Sequence, residues 1–448
     1  MPSPDMSPDP LTRRTFLGTA AAASFSLASL GSAAALEPPA IPGSPVAPGG
    51  PNTLASLKDN IYTRLLGVRP HVGSHEHISR LGGGRMPPEV LQAMAEANDY
   101  FVDMHELNIA AGKRAAELLG APAALITSGG FSAMILGAAA CLTGSDERKI
   151  EALPQPDWPR RECLIQTAQK FGYDRAYRAA GATVVYAATR DDLRAKLGES
   201  TAMIAGLAIA ERQGVFAPPF NARRAPPPNP NLVKPEDLIA MGKSAGVPVI
   251  IDMASDLPPW DNIRRFLGAG ADLVVVSGGK CIGGPQATGM LLGRADLVEA
   301  ARLNAYPFEN VGRGMKVGKE EIVGLIVALE RFVKLDHQAD TAGWAARASR
   351  LAGSLQGIPG VTATTAVNTA GYTDAEMSWD ETVVPLNRDT FRQQLSSGTP
   401  KLELEFISQQ SGTKVWRATA RTRQLRDGEE MLVAQRLRAI FDGAGKRS

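Results

Sequence analysis

"VVVSGGKCIGGPQATGMLLGR", residues 274 to 294, is the stretch that decides the fold of this chain. An apolar run, Leu273 to Val276, leads into Ser-Gly-Gly-Lys, and a second apolar run follows soon after. Short apolar runs without polar alternation predict strands that are buried on both faces, as in parallel sheets covered by helices. Lys280 therefore stands in a glycine-rich turn at the carboxyl end of a buried strand.

Similar strand-like runs precede this stretch and alternate with segments of helical spacing. The runs are "AALIT" (123–127), "ECLIQTA" (162–168), "TVVYAA" (183–188), "TAMIAGLAI" (201–209) and "VPVIID" (247–252). Two of the helical segments are "PPEVLQAMAEANDYF" from residue 87 and "ELNIAAGKRAAELLG", which Gly120 closes as a C-cap. The alternation predicts an α/β fold with a mostly parallel sheet, whose ligand site lies outside the carboxyl ends of the strands.

Polar groups follow three of these strands. Thr127 and Ser128-Gly129-Gly130 form a turn before a helix, where backbone N–H groups can hold a phosphate, although such turns also occur without a ligand. Asp252 ends "VIID" and can hold a protonated ring nitrogen or a metal, or cap a helix. The third group is Ser277 to Lys280.

Lys280 decides among these alternatives. A lysine held beside a buried sheet is desolvated, which lowers its pKa and makes its amine a nucleophile. A phosphate cradle, a carboxylate and this amine are together what pyridoxal 5'-phosphate needs, with Lys280 as the Schiff-base lysine and Asp252 on the pyridine nitrogen. No GxxxxGK[ST] motif occurs, so a Walker-type nucleotide site is disfavoured.

The first 53 residues have a different character. Residues 1–35 contain Arg13-Arg14, a mild apolar core and three small residues, Ala33 to Ala35, which is the layout of a twin-arginine export signal. The apolar core is too short for a stable membrane span. Residues 36–53 are a Pro/Gly-rich linker. We therefore expect a periplasmic or secreted protein, carried in folded form by the twin-arginine machinery.

We expect two domains after the linker. Residues 54–320 would form the large α/β domain, together with its N-terminal segment. Residues 321–448 begin with a long helical pattern that contains a break, and continue with the strand-like runs "VTATTAV", "ETVVPLN" and "KLELEFIS" and a closing helix. This pattern predicts a smaller C-terminal α+β domain.

Composition excludes several function classes. The chain of 448 residues has 48 basic and 46 acidic residues without a basic stripe, which argues against a nucleic-acid partner. Three cysteines, Cys141, Cys163 and Cys281, stand in apolar surroundings, so neither a disulfide framework nor a metal site is predicted.

Five segments carry a family resemblance: "RMPPEVLQAM", "LITSGGFSAMILGAAACLTG", "IIDMASD", the opening stretch and "MKVGKEEIVGLIVALERF". They resemble the selenocysteine synthase (SelA)-like branch of fold-type-I pyridoxal-phosphate enzymes, which includes enzymes named after D-glucosaminate-6-phosphate ammonia-lyase. The resemblance covers nearly all of residues 60–440. It implies an aspartate aminotransferase-like fold, a homodimer or higher homo-oligomer, and the same roles for Lys280, Asp252 and Ser128 to Gly130.

The chain departs from that family at several positions. Gln169 stands where relatives carry a histidine that stacks on the cofactor ring; glutamine can cover a ring face but cannot shuttle protons at neutral pH. His71, His75 and His77 form a histidine-rich segment, interpreted as an active-site edge or an ordinary loop, with a metal site disfavoured; at an active-site edge, one of the three would supply the proton chemistry that Gln169 cannot. Arg313 and Lys316 match a basic patch in relatives, and the arginines of the C-terminal domain are suited to bind a substrate carboxylate. Two histidines of that segment, His75 and His77, are candidate substrate-binding residues. The basic candidates are Arg313, Lys316 and Arg423, with Arg421 as a further carboxylate partner.

These observations predict an exported pyridoxal-phosphate enzyme that acts on an amino acid or amino-sugar acid through Lys280. The reaction expected is α,β-elimination of the ammonia-lyase type. Racemisation, transamination and β-replacement stay open, because the fold does not separate them. A different class of function, a non-catalytic relative that binds the cofactor or an amine, also stays open because of Gln169. Selenium transfer to a charged tRNA is disfavoured, since the chain carries an export signal and lacks a basic RNA-binding extension.

Overall fold

The computed structural model describes residues 50–209, 231–368 and 370–445. The predicted signal (1–35) and all but the last four residues of the predicted linker (36–53) lie outside these ranges. No helix within them is both long enough and apolar enough to cross a membrane.

The helices, in chain order, are α1 (Leu54–Lys58), α2 (Ile61–Leu66), α3 (Pro88–Asn98), α4 (Met104–Leu119), α5 (Gly130–Thr143), α6 (Glu147–Ala152), α7 (Arg175–Ala179), α8 (Arg190–Lys196), α9 (Pro235–Ala245), α10 (Asn262–Gly268), α11 (Ala295–Asn304), α12 (Lys319–Phe332), α13 (His337–Ser354), α14 (Arg388–Ser397) and α15 (Glu429–Gly445). The strands are β1 (His71–Ser74), β2 (Ala123–Thr127), β3 (Glu162–Gln166), β4 (Thr183–Ala187), β5 (Thr201–Leu207), β6 (Val249–Asp252), β7 (Leu273–Ser277), β8 (Gly289–Gly293), β9 (Val361–Val367), β10 (Thr373–Asp380), β11 (Lys401–Leu404), β12 (Phe406–Gln409) and β13 (Val415–Ala420).

A seven-stranded sheet forms the centre of the fold, in the order β2-β8-β7-β6-β5-β3-β4. Every neighbouring pair is parallel except the two that β8 makes, with β2 and with β7. Because β2 and β7 are both antiparallel to β8, they run in the same direction. The carboxyl ends of β2, β6 and β7 therefore lie at one edge of the sheet. β6 and β7 are adjacent in the sheet, whereas β8 separates β2 from β7.

Helices cover both faces of this sheet. Strand β5 is buried along its whole length, and so is nearly all of α5, which packs between the sheet and α11. Phe266 belongs to the apolar core on one face and Tyr177 to that on the other. Burying each large apolar side chain stabilises the fold by about 1.5–3 kcal/mol, so this two-sided burial explains the apolar strand sequences.

Capping residues near each end of α4 determine where that helix begins and ends. The side chain of Asp103 accepts hydrogen bonds from the first N–H groups of α4, and Gly120 ends that helix in the left-handed conformation, with φ of 69°, as predicted. The long helical pattern after residue 320 is broken, also as predicted, into α12 and α13.

The C-terminal part has its own antiparallel sheet, in the order β12-β13-β10-β9, packed against α13 and with α15 in the same apolar core. Within that core the Phe391 and Phe441 rings are stacked, and the Trp379 ring packs against both at a steep angle. The expected strand "ETVVPLN" is instead a turn, in which Val384 N donates to Asp380 O; Pro385 has no N–H to give to a ladder.

A two-stranded parallel ladder joins β1 to β11. Val72 of β1 lies in the same apolar core as Trp379. At the end of β1, Arg421 N donates to Ser74 O and Ser74 Oγ donates to Arg421 O, so the residues after β1, including His75 and His77, lie beside the segment that follows β13.

Candidate active site

Lys280 follows β7 in a turn that only glycine permits. A Cβ on Gly279 would lie 2.4 Å from the backbone of Gln286, and one on Gly278 would lie 2.4 Å from the Thr288 hydroxyl. The turn therefore folds directly onto residues 285–288 and holds the base of Lys280 in place. Burial lowers the pKa of the Lys280 amine, and the carboxylate of Asp252 partly opposes that shift. The amine is thus closer to neutrality at pH 7 than that of a surface lysine.

Asp252 ends β6, the strand beside β7, and its side chain is buried. Its Oδ1 accepts a hydrogen bond from Ala254 N at 2.9 Å. Burial raises the pKa of this carboxyl, while the Ala254 hydrogen bond and the Lys280 charge oppose the shift. Asp252 and Lys280 line one small cavity of about 70 Å³, together with Phe171 and Tyr173.

The turn after β2 leaves the first N–H groups of α5 without a side-chain cap. Gly129 has a φ of 92°, which favours glycine. Gly289 of β8 passes so close that a Cβ on it would lie 2.4 Å from the Gly129 carbonyl carbon. The result is a bare backbone turn at the positive end of a 14-residue helix, which is suited to an anion.

Hydroxyl groups stabilise this turn from within. Thr127 Oγ1 donates to Gly129 O at 3.0 Å, Ser132 Oγ donates to Ser128 O at 3.0 Å, and the Ser128 and Ser132 hydroxyls lie 3.0 Å apart. Thr127 is buried, so its hydroxyl supports the turn. Ser277 is the last residue of β7, opposite Gly289. The structure thus places all the predicted phosphate-site residues at one sheet edge.

Gln169 is held away from the cavity that Lys280 and Asp252 share. Its Nε2 donates to Val233 O at 2.9 Å, and its Oε1 accepts from Leu207 N at 2.7 Å. The side chain is fully buried and does not line that cavity. Phe171, two residues further along, does line it. The sequence analysis missed Phe171; its nearness to Gln169 in "QKFGYD" was the available signal.

A larger cavity of about 340 Å³ lies against Lys280. His77, Cys281 and Arg423 line it beside the lysine. One Nη of Arg423 lies 3.2 Å from His77 Nδ1 and also contacts Cys281 Sγ, while the other is 3.5 Å from Glu76 Oε2. Arg423 is therefore a buried, fixed cation within reach of the same space as Lys280.

His77 is uncharged at neutral pH. Burial, followed by the Arg423 charge, lowers its pKa to about 4. Its Nδ1 lies 3.2 Å from an Arg423 nitrogen, which can only donate, and 3.5 Å from Glu76 Oε2, which can only accept. The arginine charges beside it hold the pKa of Glu76 well below its usual range, although burial alone would raise it.

Three other predicted residues lie elsewhere in the structure. His75 is buried and lines neither cavity; its Nδ1 donates to Glu76 O at 2.6 Å, and its Nε2 lies 3.1 Å from His71 Nε2. Arg313 and Lys316 are exposed, and the Arg313 guanidinium lies over the ring of Tyr306. Of the candidate substrate residues, the fold brings only His77 and Arg423 next to Lys280. Within the described ranges no three His, Cys, Asp or Glu side chains come together as metal ligands.

The sequence and fold match known proteins. The family model "SelA: L-seryl-tRNA selenium transferase" matches residues 230–343. The chain is 29% identical over 388 residues to the 5'-C-glycyluridine monooxygenase-decarboxylase of a Streptomyces species, covering 85% of this chain and 92% of the relative. It is 26% identical over 399 residues to the D-glucosaminate-6-phosphate ammonia lyase of Salmonella typhimurium (strain 14028s / SGSC 2262), covering 87% and 100% of the two chains.

Solved structures of known proteins share the fold of this chain. A D-glucosaminate-6-phosphate ammonia-lyase structure superposes with a TM-score of 0.72 at 24% identity, covering 86% of this chain and 99% of the other. A serine palmitoyltransferase structure with PLP superposes with a TM-score of 0.52 at 13% identity, covering 84% and 88%. The expected fold-type-I architecture and the resemblance to SelA-like and ammonia-lyase proteins are therefore confirmed.

Proposed function

We propose that this fold-type-I chain is a pyridoxal-5'-phosphate enzyme that carries out α,β-elimination on an amino acid or amino-sugar acid. The observation that carries the proposal is the meeting of Asp252 and Lys280, from the ends of adjacent strands, in one cavity lined by Phe171. The ammonia-lyase relative, which this chain matches over its whole length, supports the reaction type.

The residues present fit this cofactor. The bare turn at Gly129 and Gly130, which a Cβ at position 289 would fill, suits its phosphate. Asp252 suits the pyridine nitrogen, Lys280 the covalent link, and Phe171 the ring face. When bound, the cofactor withdraws electrons from Cα of an amine substrate.

The chain's own groups then have distinct tasks. Lys280, whose amine pKa is lowered by burial, takes the proton from Cα. Arg423 holds the substrate carboxylate and so fixes which bond at Cα is broken. Neutral His77, in the tautomer that accepts from Arg423 at Nδ1, carries its proton on Nε2 and donates it in a hydrogen bond to the departing group at Cβ. His77 therefore supplies a donor that Gln169, buried against backbone, does not.

The test is the visible absorption of the purified protein beside Lys280→Ala, before and after amino acids are added. We expect a band in the wild type that borohydride reduction abolishes and that Lys280→Ala lacks. The amine that shifts the band should yield a keto acid and ammonia. A protein that takes up no cofactor, even after reconstitution, would contradict the cofactor assignment. A band that shifts without any keto acid or ammonia would favour the non-catalytic alternative.

A second candidate is oxidative decarboxylation of an amino acid. It is favoured by the Streptomyces relative, a monooxygenase-decarboxylase that matches 85% of this chain. Oxygen uptake together with release of carbon dioxide, measured with the same amines, separates it from elimination, which needs no oxygen. Racemisation, transamination and β-replacement are distinguished by their products.

We also propose that the protein is exported, on the strength of Arg13-Arg14 and the small residues before Leu36. Fractionation of cells that produce the full chain tests this. Wild type should reach the periplasm or medium, and Arg13→Lys/Arg14→Lys should stay in the cytoplasm.

A homodimer or higher homo-oligomer is the remaining proposal. Apolar side chains of α2 are exposed, including Tyr62, Leu65 and Leu66, and Phe101 after α3 is fully exposed. Light scattering should give at least twice the chain mass, and Leu65→Glu/Leu66→Glu should reduce it to one chain.

A further inference from the structure

The larger cavity extends from Lys280 to a wall of aromatic rings. Trp260, His337 and Trp344 form that wall, and Lys280 and Arg423 also line the cavity. The Arg423 guanidinium lies over the ring of Trp344, 5.5 Å from its centroid, and so joins the wall to the Lys280 end. Its volume of about 340 Å³ falls in the range of pockets that hold ligands of drug size, ~300–1,000 Å³. A small amino acid such as alanine would leave most of this space unfilled.

The rings of the aromatic wall pack against one another. The Trp260 and His337 rings are stacked, with centroids 4.2 Å apart and an interplanar angle of 13°. Trp344 lies 5.9 Å from Trp260, and Phe332 packs behind both Trp260 and His337. Burial lowers the pKa of His337, so the stack is uncharged at neutral pH. Trp260 therefore offers a preorganised, neutral aromatic surface.

Four arginines, Arg85, Arg331, Arg423 and Arg426, line the cavity and differ in their partners. Arg331 pairs with Glu89 at 2.9 Å, and Arg85 pairs with Glu429 at 2.5 Å. Arg423, at the Lys280 end, lies 3.5 Å from Glu76 and stacks over Trp344. Arg426 also lines the cavity, and its guanidinium donates to the Gly50 carbonyl. The reason to expect a planar ring at that wall is therefore the aromatic surface itself, and an anionic ligand is the alternative that the experiment must separate.

We propose that the amino acid substrate carries a planar aromatic or heteroaromatic ring on its side chain, and that this ring packs against Trp260. Its amine lies at Lys280 and its carboxylate at Arg423. This inference rests on the proposed function and names the substrate class of that same site.

The experiment titrates the cofactor-loaded protein with four probes and follows its visible band: L-tryptophan, L-phenylalanine, L-leucine and O-phospho-L-serine. We expect the two ring-bearing amino acids to bind at least about tenfold more tightly than L-leucine, because ring stacking adds to the affinity. Trp260→Leu should reduce their affinity to that of L-leucine and leave L-leucine itself unchanged. Trp260→Phe should restore part of the difference.

Trp416→Leu is the matched control, since Trp416 lies on β13, bonds to Glu381 and lines neither cavity. It should leave all four affinities unchanged. Equal affinity for ring-bearing and ring-free probes in wild type would overturn the inference alone. Tighter binding of O-phospho-L-serine would overturn it in favour of an anionic side chain. A band that no probe shifts would overturn the proposed function and this inference with it.

Discussion

Lys280 and Asp252 show how position in a sheet sets side-chain chemistry. They follow adjacent parallel strands, so the polypeptide brings an amine and a carboxylate to one edge without any long loop. Burial acts on both groups, lowering the pKa of the amine and raising that of the carboxyl, while each charge favours the other. Because the charge of each residue favours the charged form of the other, substitution of either one changes the electrostatics of both.

Asp252→Asn should lower kcat by about two orders of magnitude, because a neutral amide no longer stabilises the positive charge on the pyridine nitrogen. The visible band should persist, since Lys280 and the phosphate turn are unchanged. Steady-state kinetics beside an absorption spectrum checks both effects. Asp191→Asn, on an exposed carboxylate, serves as control. Full activity of Asp252→Asn would rule out the proposed role.

His77 should make the protein sensitive to mild acid. Its folded-state pKa, about 4, lies below the unfolded value of 6.5, so between these pH values only the unfolded chain takes up the proton. Stability is therefore lost as pH falls from 6.5 towards 4. His77→Asn keeps an acceptor for Arg423 but does not titrate, so it should lose less stability in that window, by on the order of 2 kcal/mol. Urea denaturation at pH 7, 6 and 5 measures this. Parallel pH profiles for the two proteins would contradict it.

At the scale of elements, strand β8 also shapes the turn that follows β2. Its reversed direction places Gly289 beside the turn at Gly129, and the absence of a side chain there keeps that turn open. The phosphate turn thus depends on two segments that lie 160 residues apart in the sequence.

Gly289→Ala should weaken cofactor binding by at least about tenfold, because its Cβ would displace the Gly129 carbonyl and tilt the N–H groups of α5. Gly198→Ala, where a Cβ would meet nothing within 4 Å, is the matched control. Equilibrium dialysis against pyridoxal phosphate gives both affinities. An unchanged affinity for Gly289→Ala would show that the turn does not hold the phosphate.

At the scale of the whole molecule, one carboxylate ties together segments from both ends of the described chain. Glu429, at the start of α15, is fully buried and accepts hydrogen bonds from Asn52 N, the Arg85 guanidinium and Arg426 N. These contacts join the segment before α1, the segment before α3 and the C-terminal helix. Arg85 also lines the larger cavity, so this connection borders the site.

Glu429→Gln should lower the free energy of unfolding by about 3 kcal/mol, because it removes one member of a buried ion pair and leaves Arg85 without its carboxylate. Glu96→Gln, on the exposed face of α3, should change it by less than about 0.5 kcal/mol. Chemical denaturation of the two variants and the wild type decides the comparison. If Glu429→Gln were as stable as the wild type, water would have replaced the ion pair between Glu429 and Arg85.

The amino-acid sequence by itself determined the mostly parallel sheet, the turn that carries Lys280 and the strand end that carries Asp252. These features are local, since apolar strands, glycine turns and helix caps follow from residues close together in the chain. The fold-type-I class and the family resemblance, both confirmed, depend on these same local segments.

Only the tertiary structure decided which other side chains reach Lys280. His77 meets Arg423 across 346 residues, because Ser74 at the end of β1 bonds to the backbone of Arg421 after β13, and no local pattern records that contact. Gln169 turns to the backbone, whereas Phe171 reaches the cavity, although both belong to one short segment. The physical reason is that strand order and packing between distant segments, and not residue type, determine which polar groups share a buried space.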